Sequence, residues 1–512
     1  MTERWTDTKI SCEAKYWAVR ELARRAGVTP EQFEKWSIEF SEDSTVILVD
    51  RFARKQIRIA AHDGLAVQKH PFELFTNSAK WMFPPAEGLA RLVPSFVVPF
   101  SPVQIEPRPI FSRINANLVV SGFDLVTSSL FTLARAEEVA PGPRDRHGRF
   151  LAKDSVAFRD GFLDRPIVDE YGLAFAQAIE SLDPGWKPAR GPLSVKLSHD
   201  IDDLEVMFSG RPEHIGFSPK QLVRAAWMGT PLSFRSAIQE TTKKHEPLST
   251  IKSLARSAAR TRPNARELVR ELCRLSTDFQ LDSAFYWKAS ALTPFDSGYD
   301  PCSKSIKLLI QQVADQGFEN GVHPGYYTFQ DVNELRREVA CLREATGCEV
   351  LGGRQHYLRW LPETWKHWEQ CGLAYDSSLT FPDICGFRAG TCVPYKPWLL
   401  DENREAELLE IPLIIMEMTL TECMRETRTD VLLETIESYM NKCRAVGGVF
   451  TFLYHNSSLQ DAMLKALYER LLQKFAGCAK FDWHNAIAQR WLPLSQPGPA
   501  NEGVNTPARV SK

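Results

Sequence analysis

From Leu193 to about residue 490 the chain alternates short apolar runs with amphipathic helical stretches, and that rhythm constrains its fold more than any other feature. The runs "LSVKLSHD", "DSAFYWKA", "FENGVHP", "EVLGGRQHY", "LAYDSSL", "LLEIPLIIMEM", "GGVFTFLYH" and "KFDWHNA" have strand length and β-branched or aromatic content. Between them lie helix-period segments such as "NARELVRELCRLSTDF", "DVNELRREVACLREATG" and "DVLLETIESYMNKCRAVG", several closed by a glycine. Strand-helix alternation buries both faces of a parallel sheet, so an α/β layer or barrel is expected over 191–492. Residues 1–190 mix helical signals ("TPEQFEKW", "GFDLVTSSLFTLARAEEVA", "DEYGLAFAQAIESL") with strand-like "TVILVDRFARKQIRIAA", which predicts a separate N-terminal α+β region.

In parallel α/β folds the loops at the carboxyl ends of the strands are free to carry chemistry while the scaffold stays rigid. Four polar clusters fall at that edge: "SHDIDD", "GVHPGYY", "GGRQHYLRW" and "FLYHNSS". Three acids crowded at Asp200, Asp202 and Asp203 repel one another unless a cation gathers them. Asp and His together are ligands for Zn²⁺ and its first-row neighbours, and a catalytic ion of that kind acidifies water near neutral pH. A separate carboxylate can then act as base and a separate His as acid, which points to a hydrolase.

The remaining residues exclude more than they reveal. The 512 residues carry a net charge of −2, with 44% hydrophobic and 25% charged residues, so nothing draws the whole chain to nucleic acid. Eleven cysteines stand singly without a C-x-x-C pair, as free thiols in a reducing compartment do. With no signal-like or membrane-spanning run, a cytoplasmic location is expected. A basic insertion interrupts the barrel at 204–262; from 211 to 262 it holds ten Lys or Arg against three Glu. Its "IKSLARSAARTR" would form a basic amphipathic helix able to touch an anionic membrane surface, with a solvated covering helix as the plainer alternative. The turn-rich stretch 141–166 places Asp145, His147, Asp160 and Asp164 in solvated loops without chemistry, and 493–512 reads as a disordered tail.

The D-x-D, G-x-H-P, R-Q-H-Y and Tyr-His motifs resemble the polysaccharide deacetylase family, the NodB-homology carbohydrate esterases. More narrowly, the chain resembles a bacterial branch with its own N-terminal region, here containing "GRFLAKDSVAFRDGFLDRPIVDEY". The resemblance implies a distorted (β/α)7-type barrel, a divalent metal, commonly Zn²⁺, and removal of N- or O-acetyl groups from sugars; with no export signal in view, the expected setting is surface polysaccharide biosynthesis inside the cell. It makes Asp200 the base that activates water, Asp202 and His323 metal ligands, Arg354 the bidentate partner that orients the base, and His455 the acid for the departing amine. The family's second metal-binding His falls at Tyr327, so the third ligand is sought at His356, with His199 as the other candidate. The Pro-Tyr that follows the motif's Arg is also missing after Arg354.

Tyr326, Tyr327, Trp360, Phe387 and Trp398 are candidate faces for a sugar ring, and Arg388 or Lys396 candidate contacts for an anionic substituent. Asp376 is a candidate support for Arg354 or His455, or a turn cap. An N-acetylated saccharide or sugar precursor is the expected partner. A non-catalytic glycan-binding barrel, and a metal hydrolase of another amide or ester bond, remain alternatives.

Overall fold

The computed structural model describes residues 10–41, 45–61, 110–202, 204, 265–289 and 293–481, apart from 122, 140–141, 294, 297–298 and 348. The basic insertion beyond Leu204, with its membrane contact, and the tail at 493–512 lie outside the described residues.

The N-terminal region is an α+β unit. Helix α1 (Cys12–Ala26) starts on Ser11, whose side chain accepts from Ala14 N, and ends on Gly27 in the left-handed region. A five-stranded sheet follows, with strands β1 (Trp36–Phe40), β2 (Thr45–Asp50), β3 (Gln56–Ala60), β4 (Ser112–Asn115) and β5 (Leu118–Ser121) in the order β1-β2-β3-β5-β4. The strand-like stretch at 45–61 forms a hairpin, because Asp50 Oδ1 accepts from Phe52 N and Ala53 N and turns the chain. Helices α2 (Leu125–Leu133) and α3 (Ile167–Leu182) cover the unit. Gly172 lets α3 lie directly on α1, since a Cβ there would stand 2.4 Å from the Cβ of Arg25.

The remainder is a curled parallel sheet. Its strands are β6 (Ser194–Ile201), β7 (Ser283–Trp287), β8 (Glu319–Val322), β9 (Gly352–Gly353), β10 (Tyr375–Asp376), β13 (Leu409–Glu410), β14 (Ile415–Met416), β15 (Val449–Leu453) and β16 (Ala479–Lys480), the last pairing with the start of β6. A small hairpin, β11 (Trp398–Leu399) with β12 (Arg404–Glu405), stands apart. Helices α4 (Ala265–Asp278), α5 (Lys304–Ala314), α6 (Val332–Thr346), α7 (Pro362–Gln370), α8 (Thr429–Val446) and α9 (Ala462–Phe475) link the strands and bury leucine-rich faces against them. Strands β7 and β15 are buried along their whole length, as strands covered on both faces must be.

The segment 409–416 closes the barrel. The sequence reads it as one strand, yet β13 pairs with β10 and β14 pairs with β15. Ile411 N donates to Asp376 O at 2.8 Å and Ile414 N to Thr451 O at 3.2 Å, so the chain changes partner across Pro412, which has no N–H to give either side. One extended segment thus bridges the two edges, and the architecture is a distorted (β/α)7-type barrel. Inside it Lys196 reaches Glu319 at 3.1 Å and lies over the Tyr375 ring, while Tyr375 and Tyr286 join through their hydroxyls.

The loop "GFRAGTCVPYKPW" docks the barrel onto the N-terminal region. Arg388 and Glu138 form a buried two-pronged pair, Nε to Oε1 at 2.9 Å and Nη2 to Oε2 at 2.5 Å. Asp169 on α3 receives Arg25 Nε at 2.8 Å, Thr391 Oγ1 at 2.5 Å and Cys392 N at 2.8 Å. Trp398 packs on Trp17 with ring centroids 5.9 Å apart, and the indole of Trp17 donates to Lys396 O. Arg388, Trp398 and Phe387 are 3, 2 and 2% exposed, and Trp360 is fully buried against Trp365. These four residues therefore do not offer a surface to a substrate. Their aromatic and cationic groups are consumed by the core and by this interface.

Candidate metal centre and catalytic rim

The strand register brings the polar groups to one level. Trp287 lies beside Ile201, Val322 beside Trp287 and Gly353 beside Val322. One residue further along each strand stand Asp202, Lys288, His323 and Arg354. Strand β9 must carry glycine here, because a Cβ on Gly353 would stand 1.8 Å from Val322 O. That close approach seats the two following residues side by side: Arg354 N donates to Val322 O at 3.0 Å, and His323 Nδ1 lies 2.7 Å from Arg354 O.

These contacts fix the imidazoles. A carbonyl only accepts, so His323 carries its proton on Nδ1 and turns Nε2 toward Asp202, whose Oδ1 is 3.1 Å away. His356 Nδ1 lies 2.8 Å from Asp296 Oδ1, and its Nε2 is 3.5 Å from the same Asp202 oxygen. Asp202, His323 and His356 each offer one ligand atom within 4.8 Å of the others. Their donor chemistry, with both Nδ1 atoms already engaged by acceptors, fits a divalent ion of the zinc class. Tyr327 stands outside this group and is 49% exposed.

Lys288 is fully buried beside the cluster. Its Nζ is 3.1 Å from Asp296 Oδ1, and 2.9 and 3.1 Å from Nδ1 and Nε2 of His356. An atom nearly equidistant from both ring nitrogens sits on the lone-pair axis of neither, so Lys288 rests against the ring face and leaves Nε2 open. Burial, followed by the Lys288 charge, brings His356 down to about 4 despite its bond to Asp296, and the ring stays neutral as a ligand must. For Asp202 burial pushes upward, but the adjacent His323, His356 and Lys288 hold its carboxyl well below the usual range. Its side chain remains 35% exposed, making it the open member of the group.

Asp200 points inward and is 2% exposed. Arg354 Nη1 donates to its Oδ1 at 2.8 Å, while Arg354 Nε goes to Ser377 O at 2.9 Å and Nη2 to Ser198 Oγ at 3.0 Å. The pair is thus single rather than bidentate, because the other guanidinium protons are spent on neighbouring strands. Arg354 also lies over the Tyr286 ring at 5.0 Å, which holds it from below.

His455 follows β15 and approaches from the other side of β6, its Nε2 3.7 Å from Asp202 Oδ2. Glu417 Oε1 lies 2.8 Å from His455 Nδ1 and accepts from His455 N and Ser458 Oγ. Burial lowers the imidazole, but Glu417 and the two aspartates outweigh it and raise His455 to about 9.

Other candidates go elsewhere. His199 donates from Nδ1 to Tyr454 O at 2.8 Å, packs between Phe285 and Tyr468, and is pushed down to about 4 by burial, so it is a structural tie between β6 and β15. Asp376 turns to Ser378, whose Oγ and N both donate to its Oδ1, and takes the turn-cap role. Tyr326 is buried, with its hydroxyl 2.9 Å from His147 Nδ1. His147 is accordingly not a solvated loop residue: the N-terminal region reaches the rim through it. Lys288, Asp296 and Glu417 carry no motif. Lys288 and Glu417, however, directly follow apolar strands, and the position just past a strand end is also that of Asp202, His323 and Arg354.

Residues 6–184 match a family described as a family of unknown function, DUF7033. No curated protein matches the chain. Among solved structures, the chain is similar to a putative polysaccharide deacetylase from Mycobacterium smegmatis at 14% identity and TM-score 0.37, covering 59% of this chain and 91% of that one. It is similar to Puue allantoinase at 16% identity and TM-score 0.38, covering 60% and 92%. A CE4 family pseudoenzyme from Bacillus anthracis matches at 13% identity and TM-score 0.26, covering 44% and 62%. None of these likenesses is close enough to carry chemistry to this chain.

Proposed function

We propose that this chain is a metal-dependent deacetylase that hydrolyses the N-acetyl group of a sugar, in the synthesis of a bacterial surface polysaccharide. The observation that carries the reading is the convergence of His323, His356 and His455 on the open carboxylate of Asp202, with the buried Asp200 3.8 Å from His323. Asp202, His323 and His356 hold the ion. A zinc-class ion supplies Lewis acidity toward an acyl oxygen and toward water.

The chain's own groups do the rest. Asp200, aimed by Arg354, removes a proton from the attacking water. Glu417 grips Nδ1–H of His455 and so presents Nε2–H to the cleft, where it protonates the nitrogen that leaves as the free amine while acetate forms. The buried Arg354 and Glu417 keep both groups in place without solvent reorganisation.

The test is acetate release from N-acetylated nucleotide sugars and oligosaccharides with Zn²⁺, Co²⁺ or Mn²⁺ supplied in turn. Acetate formed by the native chain and lost in Asp200→Asn supports the reading. Near-normal release by that variant, or none from any substrate by the native chain, overturns it.

A further inference from the structure

Beside the metal centre lies a shelf of aromatic rings. Tyr357 follows the ligand His356, with ring centroids 4.7 Å apart, and Tyr326 stands 5.4 Å from Tyr357. Phe295 stacks on Tyr326 at 4.2 Å, and Tyr327 meets Tyr326 edge-on at 5.0 Å. Two of these rings are open: Phe295 is 40% and Tyr327 49% exposed, whereas most aromatic side chains of the described residues are buried. The shelf is also held under strain. Tyr357 and Leu358 have φ of 60° and 55°, a conformation that costs a non-glycine residue about 1–3 kcal/mol and persists only where surroundings impose it.

The N-terminal region imposes it. Asp145 clamps Arg149 through Nε at 2.9 Å and Nη2 at 2.7 Å, and accepts from the backbone of His147 and Arg149. From this clasp Arg149 Nη1 donates to Tyr357 O at 3.1 Å. His147 bonds Tyr326 through Nδ1, meets the rings of Phe295 and Tyr357, and accepts Arg359 Nε at its carbonyl. Arg359 lies over the other face of Tyr326 at 3.8 Å, so Tyr326 is sandwiched and serves as the footing of the shelf.

We propose that the N-terminal region builds one wall of the saccharide site: its 145–149 clasp, through His147, fixes Phe295, Tyr327 and Tyr357 as the platform for the sugar ring next to the one that carries the scissile acetamide. The inference rests on the saccharide reading above. Pyranose rings present C–H faces that stack on aromatics, and the exposed rings lie to the side of the ion cluster, continuous with it through Tyr357. The substrate class that follows is an oligosaccharide of at least two rings. His147 is a positioning residue, since it holds the platform without facing the cleft.

The experiment compares kcat/KM for an N-acetylated chitotetraose and for N-acetylglucosamine across Phe295→Ala, Tyr327→Ala, His147→Ala and a control, Leu308→Ala on α5. Each of the first three is expected to lower the tetramer-to-monomer ratio about 2–10-fold, the range of one aromatic contact. Leu308→Ala is expected to leave the ratio unchanged. Calorimetric binding of the tetramer to the Asp200→Asn chain, with and without each substitution, keeps the result independent of turnover. An unchanged ratio and unchanged binding in the variants overturn the shelf while the deacetylase reading stands. If the unsubstituted chain neither cleaves nor binds either saccharide, both fall.

Discussion

The barrel rim and the docking loop at 386–398 hold the same kinds of residue, buried Arg, acid, aromatic and Cys or His, and put them to opposite uses. At the loop every charge is matched at once: Arg388 with Glu138, Arg25 with Asp169 and Glu21. At the rim Asp296 and Glu417 orient His356 and His455 toward Asp202, the member left open to solvent, and Arg354 holds Asp200 beside His323. Burial of charge is therefore no mark of a site in this fold. Convergence on an open carboxylate is.

The comparison breaks if rim and loop respond alike to substitution. Asp200→Asn is expected to cut turnover about 100-fold to 10,000-fold, the range for loss of a positioned base, with only a modest loss in a urea titration because the amide oxygen still accepts from Arg354 Nη1. Arg388→Met should do the converse, costing about 3–5 kcal/mol in the same urea titration because Glu138 is left with a buried partner missing, while turnover per folded molecule stays close to native. The acid side sharpens it. Burial pushes Glu138 up, but the guanidinium groups of Arg388 and Arg135 bring its carboxyl down to about 2 from an ordinary 4.5. A depressed carboxylate stabilises the fold fully above 4.5 and loses that contribution as pH falls toward 2, here about 3 kcal/mol. Stability followed over that window should decline in the native chain and decline less in Arg388→Met, where Arg135 still holds Glu138. A smaller effect is expected at the rim from Asp296→Asn, which should weaken divalent-ion affinity about 10–100-fold by competition titration. Glu417→Gln should leave ion affinity alone and lower kcat, which separates the two carboxylates that hold histidines.

Much of this was legible in the chain itself, for a physical reason. Strands such as "SVKLSHDI" and "VFTFL" are covered on both faces, so their apolar runs end abruptly at the rim and announce the residue that follows. The D-x-D and His455 stand out for that reason, while His323 and Arg354 stand out by their polar clusters "GVHPGYY" and "GGRQHYLRW". Strands β9, β10, β13 and β14 are two residues long and leave almost no periodic signal, and the split of 409–416 between two neighbours is decided by Pro412 and by barrel closure. Lys288 and Glu417 sit at legible strand ends but lack a motif, and Asp296 gains meaning only from what it touches across the rim. Trp360, Phe387, Arg388 and Trp398 mislead because a ring or guanidinium that binds sugar and one that seals an interface are the same in sequence. His147 was hidden by the opposite error: a turn-rich, charged stretch looks solvated, and only its packing on Tyr326 shows otherwise.

The most direct test strips the protein with chelator, reloads it with Zn²⁺, removes free ion and counts what remains bound. The account predicts close to one equivalent in the native chain and well below one in His356→Ala, with Tyr327→Phe retaining the native value. Native protein that holds almost no ion, or a His356→Ala chain that holds a full equivalent, would contradict it.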